Sequence, residues 1–461
     1  MLKRTIDSKL LEWKQNWHNK ACIINGARQV GKTYSVRAFG RANYETVYEL
    51  NFIEEPTLTD IFNDSLNADA IINSIRLTFP SQKFVAGNTL LFLDEIQECP
   101  QAVTALKFLS KDQRIDVIAT GSALGMAYKT SSSHPVGSTH NITMHSLSFE
   151  EFLWSHGIDD DIISTLHKHF ESKTPVPLAM HKKMLELLRQ YLVVGGMPEV
   201  VQTYVDTHDL AKVHTLQKNI YCDYIIDIAR FSTPDIKIKA ENCYKTIPAQ
   251  LQKENHKFQY SKVEKKGTSR KFESSIDWLE NAHLVSRVCN VSRLEYPLAS
   301  FEMADNFRLY MNDIGLLIAT FDFSMKEALL HDNNIEAPAE NNLILKTAKG
   351  SIYEALAADV LTKSGHENLY FFRNKQGNIE IDFLVESESG VVPVEVKAGA
   401  KTKTKSLNRV LENSEILEGY KFGSQNIGVA DVEPLAGAKR SETNIPAHKK
   451  ITMPLYMLMF V

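Results

Sequence analysis

The octapeptide Gly26-Ala27-Arg28-Gln29-Val30-Gly31-Lys32-Thr33 limits the choice of fold more than any other stretch of this chain. It fits G-x-x-x-x-G-K-[ST], a pattern that works only between a buried strand and the first turn of a helix. The flanks comply. Ala21-Cys22-Ile23-Ile24 is a short apolar run suited to a buried parallel strand, and Tyr34-Ser35-Val36-Arg37-Ala38-Phe39 is a helix candidate closed by Gly40. The two glycines let the backbone curl so that successive N–H groups and the positive end of the helix converge on an anion. Gly26, Ala27, Arg28, Gln29, Val30, Gly31, Lys32, Thr33 and Tyr34 are therefore expected to line a nucleoside triphosphate site. Lys32 would reach the β- and γ-phosphates and Thr33 would hold Mg²⁺.

Further on, Leu90-Leu91-Phe92-Leu93 ends in the adjacent carboxylates Asp94 and Glu95. A fully buried strand reads as continuous apolar residues, and carboxylates at its C-terminal end emerge where ligands sit in an open α/β sheet. This is the Walker B pattern: Asp94 is expected to coordinate Mg²⁺ through water and Glu95 to orient and deprotonate the attacking water. A third strand, Asp116-Val117-Ile118-Ala119, runs into Thr120-Gly121-Ser122, so Thr120 or Ser122 is a candidate sensor of the γ-phosphate. Hydroxyls after a strand are also ordinary turn residues.

With 461 residues there is chain enough for two to four domains. The formal net charge of −4 supplies no global basic field, so nucleic-acid binding would need a local patch. Cys22, Cys99, Cys222, Cys243 and Cys289 are scattered, without C-x-x-C spacing, and read as reduced thiols of a cytoplasmic protein. Met1-Leu2-Lys3-Arg4-Thr5 is polar and no apolar run is long enough to span a bilayer, so neither a signal peptide nor a membrane partner is expected.

Strand-like and helical runs alternate to about Trp154, as in a parallel-sheet nucleotide domain closed by Ser148-Phe149-Glu150-Glu151-Phe152-Leu153. From Ile158 to about Arg230 apolar residues recur at helical spacing, broken by Gly195-Gly196-Met197-Pro198, as in a helical lid. The next segment suggests a winged helix: a helix near Glu241–Leu251, a basic turn, a second helix near Arg270–Ala282 and a strand at His283–Val291. Lys253, Lys257, Lys262, Lys265, Lys266, Arg270 and Lys271 stand there against three glutamates, a footprint that fits double-stranded DNA but also an ordinary solvated helix. The expected plan is α/β throughout its two ends: a P-loop parallel-sheet ATPase domain over 1–155, a helical lid over 156–234, a winged-helix segment over 235–320 and a C-terminal α/β domain over 321–461.

The last hundred or so residues hold a second set of chemical groups. Ile379-Glu380-Ile381-Asp382-Phe383-Leu384-Val385 and Val391-Val392-Pro393-Val394-Glu395-Val396-Lys397 pair naturally as a hairpin. Alternation puts Glu395 and Lys397 on one face, with Asp382 able to face them from the neighbouring strand. Asp382 and Glu395 supply hard oxygen ligands for a divalent metal, and Lys397 can position water or stabilise charge in phosphodiester hydrolysis. Salt-bridged Glu and Lys are also common on exposed strand faces.

This hairpin resembles the PD-(D/E)xK nuclease core, with Glu354 in Ser351-Ile352-Tyr353-Glu354-Ala355-Leu356 as a further acidic group. Taken together, Gly26–Thr33, Leu93-Asp94-Glu95-Ile96-Gln97-Glu98-Cys99-Pro100, Thr120-Gly121-Ser122, Leu147–Phe152, Gly195-Gly196-Met197-Pro198-Glu199, Tyr310-Met311-Asn312-Asp313-Ile314-Gly315-Leu316-Leu317 and Pro393–Gly399 resemble prokaryotic AAA-type ATPases. These are the members that carry a C-terminal domain of unknown function with a nuclease-like core, and the resemblance spans nearly the full chain. It implies that Lys32, Thr33, Asp94 and Glu95 bind and hydrolyse ATP, adenine rather than guanine, and that Glu354, Asp382, Glu395 and Lys397 form the nuclease-like site. One departure is Pro135-Val136-Gly137-Ser138, where family members usually show a basic residue.

The function expected is an ATPase, using ATP and Mg²⁺, that couples nucleotide state to a nuclease-like half engaging DNA. The alternative is a regulatory or signalling ATPase whose C-terminal domains are catalytically silent interaction modules. Both leave open whether the chain works alone or as a homo-oligomer.

Overall fold

The computed structural model describes residues 2–121, 137–231, 234–253, 256–331, 343–388, 390–398, 404–432 and 448–461. These divide into two compact units, Met1–Ser146 with Leu279–Leu284, and Leu147–Trp278 with Val285–Val461. The first unit thus stops at Ser146, nearer the N-terminus than the boundary at 155 read from the sequence.

The first unit is built on five strands: β1 (Ala21–Asn25), β2 (Thr46–Asn51), β3 (Thr89–Asp94), β4 (Asp116–Gly121) and β5 (Thr139–Thr143). They lie in the order β2-β3-β4-β1-β5, and every pairing is parallel. Thr89–Asp94 is buried throughout, as an unbroken apolar run predicts for a central strand covered on both faces. On one face Tyr48, Leu50, Leu91 and Leu93 meet Ile71, Ile72 and Ile75 of the helix Ala68–Thr78 and Ala102, Val103 and Leu106 of the helix Pro100–Leu109.

The helix after the glycine-rich loop covers the opposite face, and here the sequence reading needs correction. It runs over Lys32–Asn43 and does not stop at Gly40. Gly40 is a helix-interior residue at a close approach: a Cβ there would lie 3.1 Å from Leu90 Cδ2 and from Val47 Cγ2. Its small size serves helix-on-sheet packing rather than helix termination.

The second unit begins with the helix Phe149–Ser155, opened by a capping box in which Glu151 N donates to Ser148 Oγ at 3.2 Å and Ser148 N to Glu151 Oε2 at 2.9 Å. The helices Asp160–Ser172, Leu178–Val194, Pro198–Thr207 and Leu210–Phe231 follow, in agreement with the helical spacing of that region. The helix Pro234–Leu251 starts earlier than expected, and the helix Ser269–Asn281 matches its expected span closely. Then comes an eight-stranded sheet of β6 (Val285–Val291), β7 (Glu302–Met311), β8 (Tyr370–Arg373), β9 (Glu380–Ser387), β10 (Gly390–Val396), β11 (Glu418–Gly423), β12 (Gly428–Val432) and β13 (His448–Pro454). Its order is β12-β13-β11-β10-β9-β8-β6-β7. β8, β9 and β10 form an antiparallel meander, while β11 joins β10 in parallel after a crossover containing the helix Lys405–Asn413.

Two motifs far apart in sequence lock together in this unit. Gly195 and Gly315 approach so closely that a Cβ on Gly195 would lie 2.7 Å from Gly315 Cα, and one on Gly196 would lie 2.1 Å from Leu147 O. Gly196 N donates to Asp313 Oδ2 at 2.8 Å, and Asp313 caps the helix Ile314–Ala319 through Leu316 N at 3.2 Å. Gly195-Gly196 is therefore a packing point as well as a turn.

Lys326, in the helix Phe323–Leu330, is fully buried, and its Nζ hydrogen-bonds Gln217 Oε1. Burial, and then the Lys218 ammonium, lowers its pKa from 10.5 to about 7. Between these two values the unfolded chain holds a proton that the folded chain has released, so stability rises with pH across the window and the full cost of the buried charge is present below it. Lys326→Met should abolish that rise, worth roughly 2–3 kcal/mol between near-neutral pH and about pH 9.5. Urea unfolding of both proteins at the two pH values checks this, and an unchanged difference between them would refute it.

Candidate functional site

The glycine-rich loop takes its shape from backbone angles that few residues adopt. Gly31, at φ +98°, precedes the helix Lys32–Asn43, and Gln29 also sits in the left-handed region at φ +61°. A Cβ at Gly26 would lie 2.1 Å from Met144 O, so the loop can turn out of β1 only with glycine there. Arg4 supports the loop from behind, Nη1 donating to Val30 O at 3.0 Å and Nη2 to His145 O at 2.8 Å. Ala27 and Val30 are buried beneath it, and Tyr34 is 60% exposed one turn on.

Lys32 is buried, and its Nζ donates to Gly26 O at 2.9 Å and Ala27 O at 2.7 Å. Burial lowers its pKa to about 8, opposed by Glu95 and Asp94. An ammonium held by two carbonyls of a glycine-rich loop at a helix N-terminus is set to meet an anion.

Because β4 lies between β1 and β3, the ends of these three strands are adjacent. Asp94, at the end of β3, is 2% exposed, and Thr33 Oγ1 lies 3.2 and 3.0 Å from its two carboxylate oxygens. Thr120 Oγ1 of β4 donates to Asp94 Oδ1, and Asn51 Nδ2 of β2 donates to Asp94 Oδ2 at 3.2 Å. Burial pushes the Asp94 carboxyl up, against the pull of the Thr120 and Thr33 hydrogen bonds. A hydroxyl and a carboxylate side by side are the hard oxygen donors that Mg²⁺ prefers, so the group implied by the loop fits the residues present. Glu95 stands in the left-handed region at φ +53°, a conformation that costs about 1–3 kcal/mol for a non-glycine residue. Its Oε2 accepts from Gln97 Nε2 at 2.6 Å. Of the two candidate sensors, Thr120 joins this cluster; Ser122, like Pro135-Val136, lies outside the described residues.

The second unit brings the other four candidates together. Asp382 lies on β9 and Glu395 on β10, in a register where Val394 faces Phe383, so the next step along both strands sets Glu395 opposite Asp382. Asp382 Oδ2 accepts from Val396 N at 2.7 Å. Lys397 follows β10, its Nζ 2.8 Å from Glu395 Oε1, while Glu395 Oε2 is buried without a hydrogen-bond partner among the described residues. Glu354 is buried on the helix Leu343–Lys363. Burial, and then the Glu354 charge, raises the Asp382 pKa, against Lys397 and Arg308.

Glu354 has partners the sequence reading missed. Its Oε1 accepts from Arg308 Nη1 at 2.7 Å and from Tyr310 Oη, and its Oε2 lies 2.7 Å from His256 Nδ1. Burial works to raise its pKa, but Arg308, His256 and Tyr310 hold it below the usual carboxylate range. Arg308 has no exposed surface; its other nitrogen binds Glu380, and its guanidinium lies 4.2 Å from the centre of the Phe371 ring. The parallel register adds Lys421 of β11 beside Glu395. Among the described residues no group of three or more His, Cys, Asp or Glu side chains is arranged to hold a metal ion. Asp382 and Glu395 are thus two oxygen donors facing each other, with Glu354 held by cations. Alternation on β7 could have marked Arg308 and Tyr310 as sharing one face. No local signal marks His256.

Residues 18–153 match the family described as an AAA domain. Residues 185–327 and 349–446 match two domains of unknown function, DUF8612 and DUF4143. No curated protein matches the chain. Among solved structures, the chain is similar to the Walker-type ATPase PABY2304 of Pyrococcus abyssi at 13% identity and a TM-score of 0.41, over 70% of this chain and 96% of that one. It is also similar to AMPPCP-bound DnaA from Aquifex aeolicus at 12% identity and a TM-score of 0.25, over 59% and 86%. A third is the STAND protein PH0952 from Pyrococcus horikoshii, at 11% identity and a TM-score of 0.26, over 79% and 46%. At these scores the structural likenesses carry no further argument. Among the described residues no helix is long and apolar enough to cross a membrane. The glycine-rich loop, the buried acidic strand end and the family match agree: residues 18–153 of this chain match an AAA domain and carry a Walker-type nucleotide-binding loop.

Proposed function

We propose that this protein binds and hydrolyses ATP and uses the nucleotide state to govern a nuclease-like second half that engages DNA. The observation that carries the ATPase reading is the convergence of Thr33 and Thr120 on Asp94 beside the buried Lys32. On ATP binding, Lys32 exchanges its two loop carbonyls for phosphate oxygens, and the N–H groups from Ala27 to Tyr34 line the phosphates. Thr33, and Asp94 through water, would hold Mg²⁺, which would supply charge neutralisation at the phosphates. Glu95 orients the attacking water and takes its proton, while Thr120 or Ser122 reports the γ-phosphate.

In the second half we read the helices Pro234–Leu251 and Ser269–Asn281 with the β6–β7 hairpin as a winged helix, offering Lys265, Lys266 and Arg270 to double-stranded DNA. The meander β8-β9-β10 with parallel β11, preceded by the helix bearing Glu354, supports a PD-(D/E)xK-like core over 321–461, with 156–234 as the helical lid. The buried, unpartnered Glu395 Oε2 facing Asp382 fits a divalent cation, and Lys397 then stabilises charge at the phosphodiester. We place the protein in the cytoplasm, where its free cysteines stay reduced, and allow a homo-oligomer as its working form.

One observation favours the second reading, a regulatory ATPase with a silent C-terminal core: Glu354 is held by Arg308, Tyr310 and His256. Mixed DNA substrates with Mg²⁺ or Mn²⁺, with and without ATP, separate the two. An active core should cut, lose cutting in EDTA, and lose at least about a hundredfold in Glu395→Ala or Asp382→Ala, the scale of losing a metal or its charge stabilisation. Absence of cutting under every metal would leave the regulatory reading.

A further inference from the structure

Beside the Asp382–Glu395 pair, the second unit contains a small recess that is partly open to solvent. Its walls come from the helices Leu178–Val194 and Leu343–Lys363, the residues that follow β10 and β11, and Leu455. Among the described residues three cations line it, Arg189, Lys349 and Lys397, and no carboxylate does. Arg189 Nε and Ser424 Oγ are both buried without a hydrogen-bond partner among the described residues. A buried donor left unpaired costs free energy, so two of them on one cavity mark a place where an acceptor is wanted. Lys397 already touches Glu395, at 2.8 Å, which makes the cavity continuous with the nuclease-like site. The remaining wall is apolar: Leu356 and other leucines together with Tyr353, whose ring lies 5.7 Å from Lys349 Nζ.

We propose that this recess is a phosphate-monoester pocket that takes the phosphate of a nucleoside 5′-phosphate, held by Arg189, Ser424, Lys349 and Lys397, with the nucleoside left toward its open side. A guanidinium and a hydroxyl suit phosphate oxygens, and aromatic and apolar walls suit the nucleoside beside them. The ligand is the phosphorylated 5′ end of a nucleic-acid strand or a free nucleoside monophosphate, since the recognised chemistry is the same. The proposal deepens the nuclease reading and rests on it only for the use made of the ligand; binding itself requires neither metal nor cleavage.

The test is therefore done in EDTA on the full chain, by fluorescence anisotropy with a short labelled single strand carrying either a 5′-phosphate or a 5′-hydroxyl, and with AMP as competitor. The 5′-phosphorylated strand should bind roughly ten- to a hundredfold more tightly, the worth of one to two charge-assisted hydrogen bonds. Arg189→Met, which keeps the apolar stem, and Ser424→Ala should each reduce that preference while leaving the ATPase rate unchanged. If Arg189→Met does not fold, Ser424→Ala alone decides. AMP competition that is lost in the same variant, without any preference between the two strands, identifies the free nucleotide as the source. Equal affinity for both strands together with no variant-sensitive AMP binding overturns the proposal, as does a preference that survives both substitutions. Cleavage of DNA by a protein without this preference would leave the nuclease reading standing and the pocket refuted.

Discussion

Glu95→Gln should bind ATP about as tightly as the unaltered protein and hydrolyse it at least a hundredfold more slowly. The amide has the shape of the carboxylate and can still accept from Gln97, which bonds Glu95 Oε2 at 2.6 Å, so the left-handed turn at φ +53° is preserved. What is lost is a base within reach of the attacking water, and positioned general bases contribute roughly 10²–10⁴ in rate. Binding should persist because the loop N–H groups, Lys32 and Thr33 are untouched. Phosphate release at saturating ATP and the affinity for a fluorescent ATP analogue read the two effects separately. Turnover within a fewfold of the original would remove Glu95 from the role given to it.

The largest effect on stability is expected at Arg308. Replacing it by Met leaves Glu354 with His256 and Tyr310 but no guanidinium, and Glu380 with only Arg373, 3.6 Å away, while Asp382 is a further nearby negative charge. Removing one partner of a buried ion pair costs about 3–5 kcal/mol, because an uncompensated charge stays behind. That is a large share of the stability of any single domain, so the second unit of Arg308→Met should unfold well before that of the unaltered protein. Adding Glu354→Gln should recover part of the loss, since the remaining amide can still bond Tyr310 and needs no countercharge. Urea unfolding followed at several wavelengths checks both, because a chain with two compact units need not unfold in one step. A loss below about 1 kcal/mol for Arg308→Met would mean that the pair is no better than a surface one.

The ATPase half was legible because its chemistry is written in short, local strings. The octapeptide, the apolar run ending in Asp94-Glu95 and the strand that carries Thr120 near its end each carry their own structural context, and the parallel order of the strands does the rest. The error at Gly40 shows the limit of local reading. A glycine that ends a helix and one that lets a helix lie against a sheet look identical until Leu90 and Val47 are seen beside it.

In the second half, alternation placed Glu395 on one strand with Asp382 able to face it from the partner, and the register agrees, since a hairpin's register follows from its turn; Lys397, read on the same face as Glu395, comes just after the end of β10. The partners of Glu354 could not be found in that way. Arg308 and Tyr310 come from β7 and His256 from the segment before the helix Ser269–Asn281, and no spacing rule connects either with the helix that carries Glu354. The same holds for Arg189 and Ser424, which meet only because a helix and a strand end border the same cavity.

The sequence by itself therefore determined the phosphate loop, the acidic strand end and the hairpin with its carboxylates, because backbone periodicity and turn chemistry act over a few residues. Only the tertiary structure decided which of those carboxylates are paired and which oxygen is left alone. Charge compensation and burial depend on the neighbours that the packed chain brings to a group, and these lie far away along the sequence.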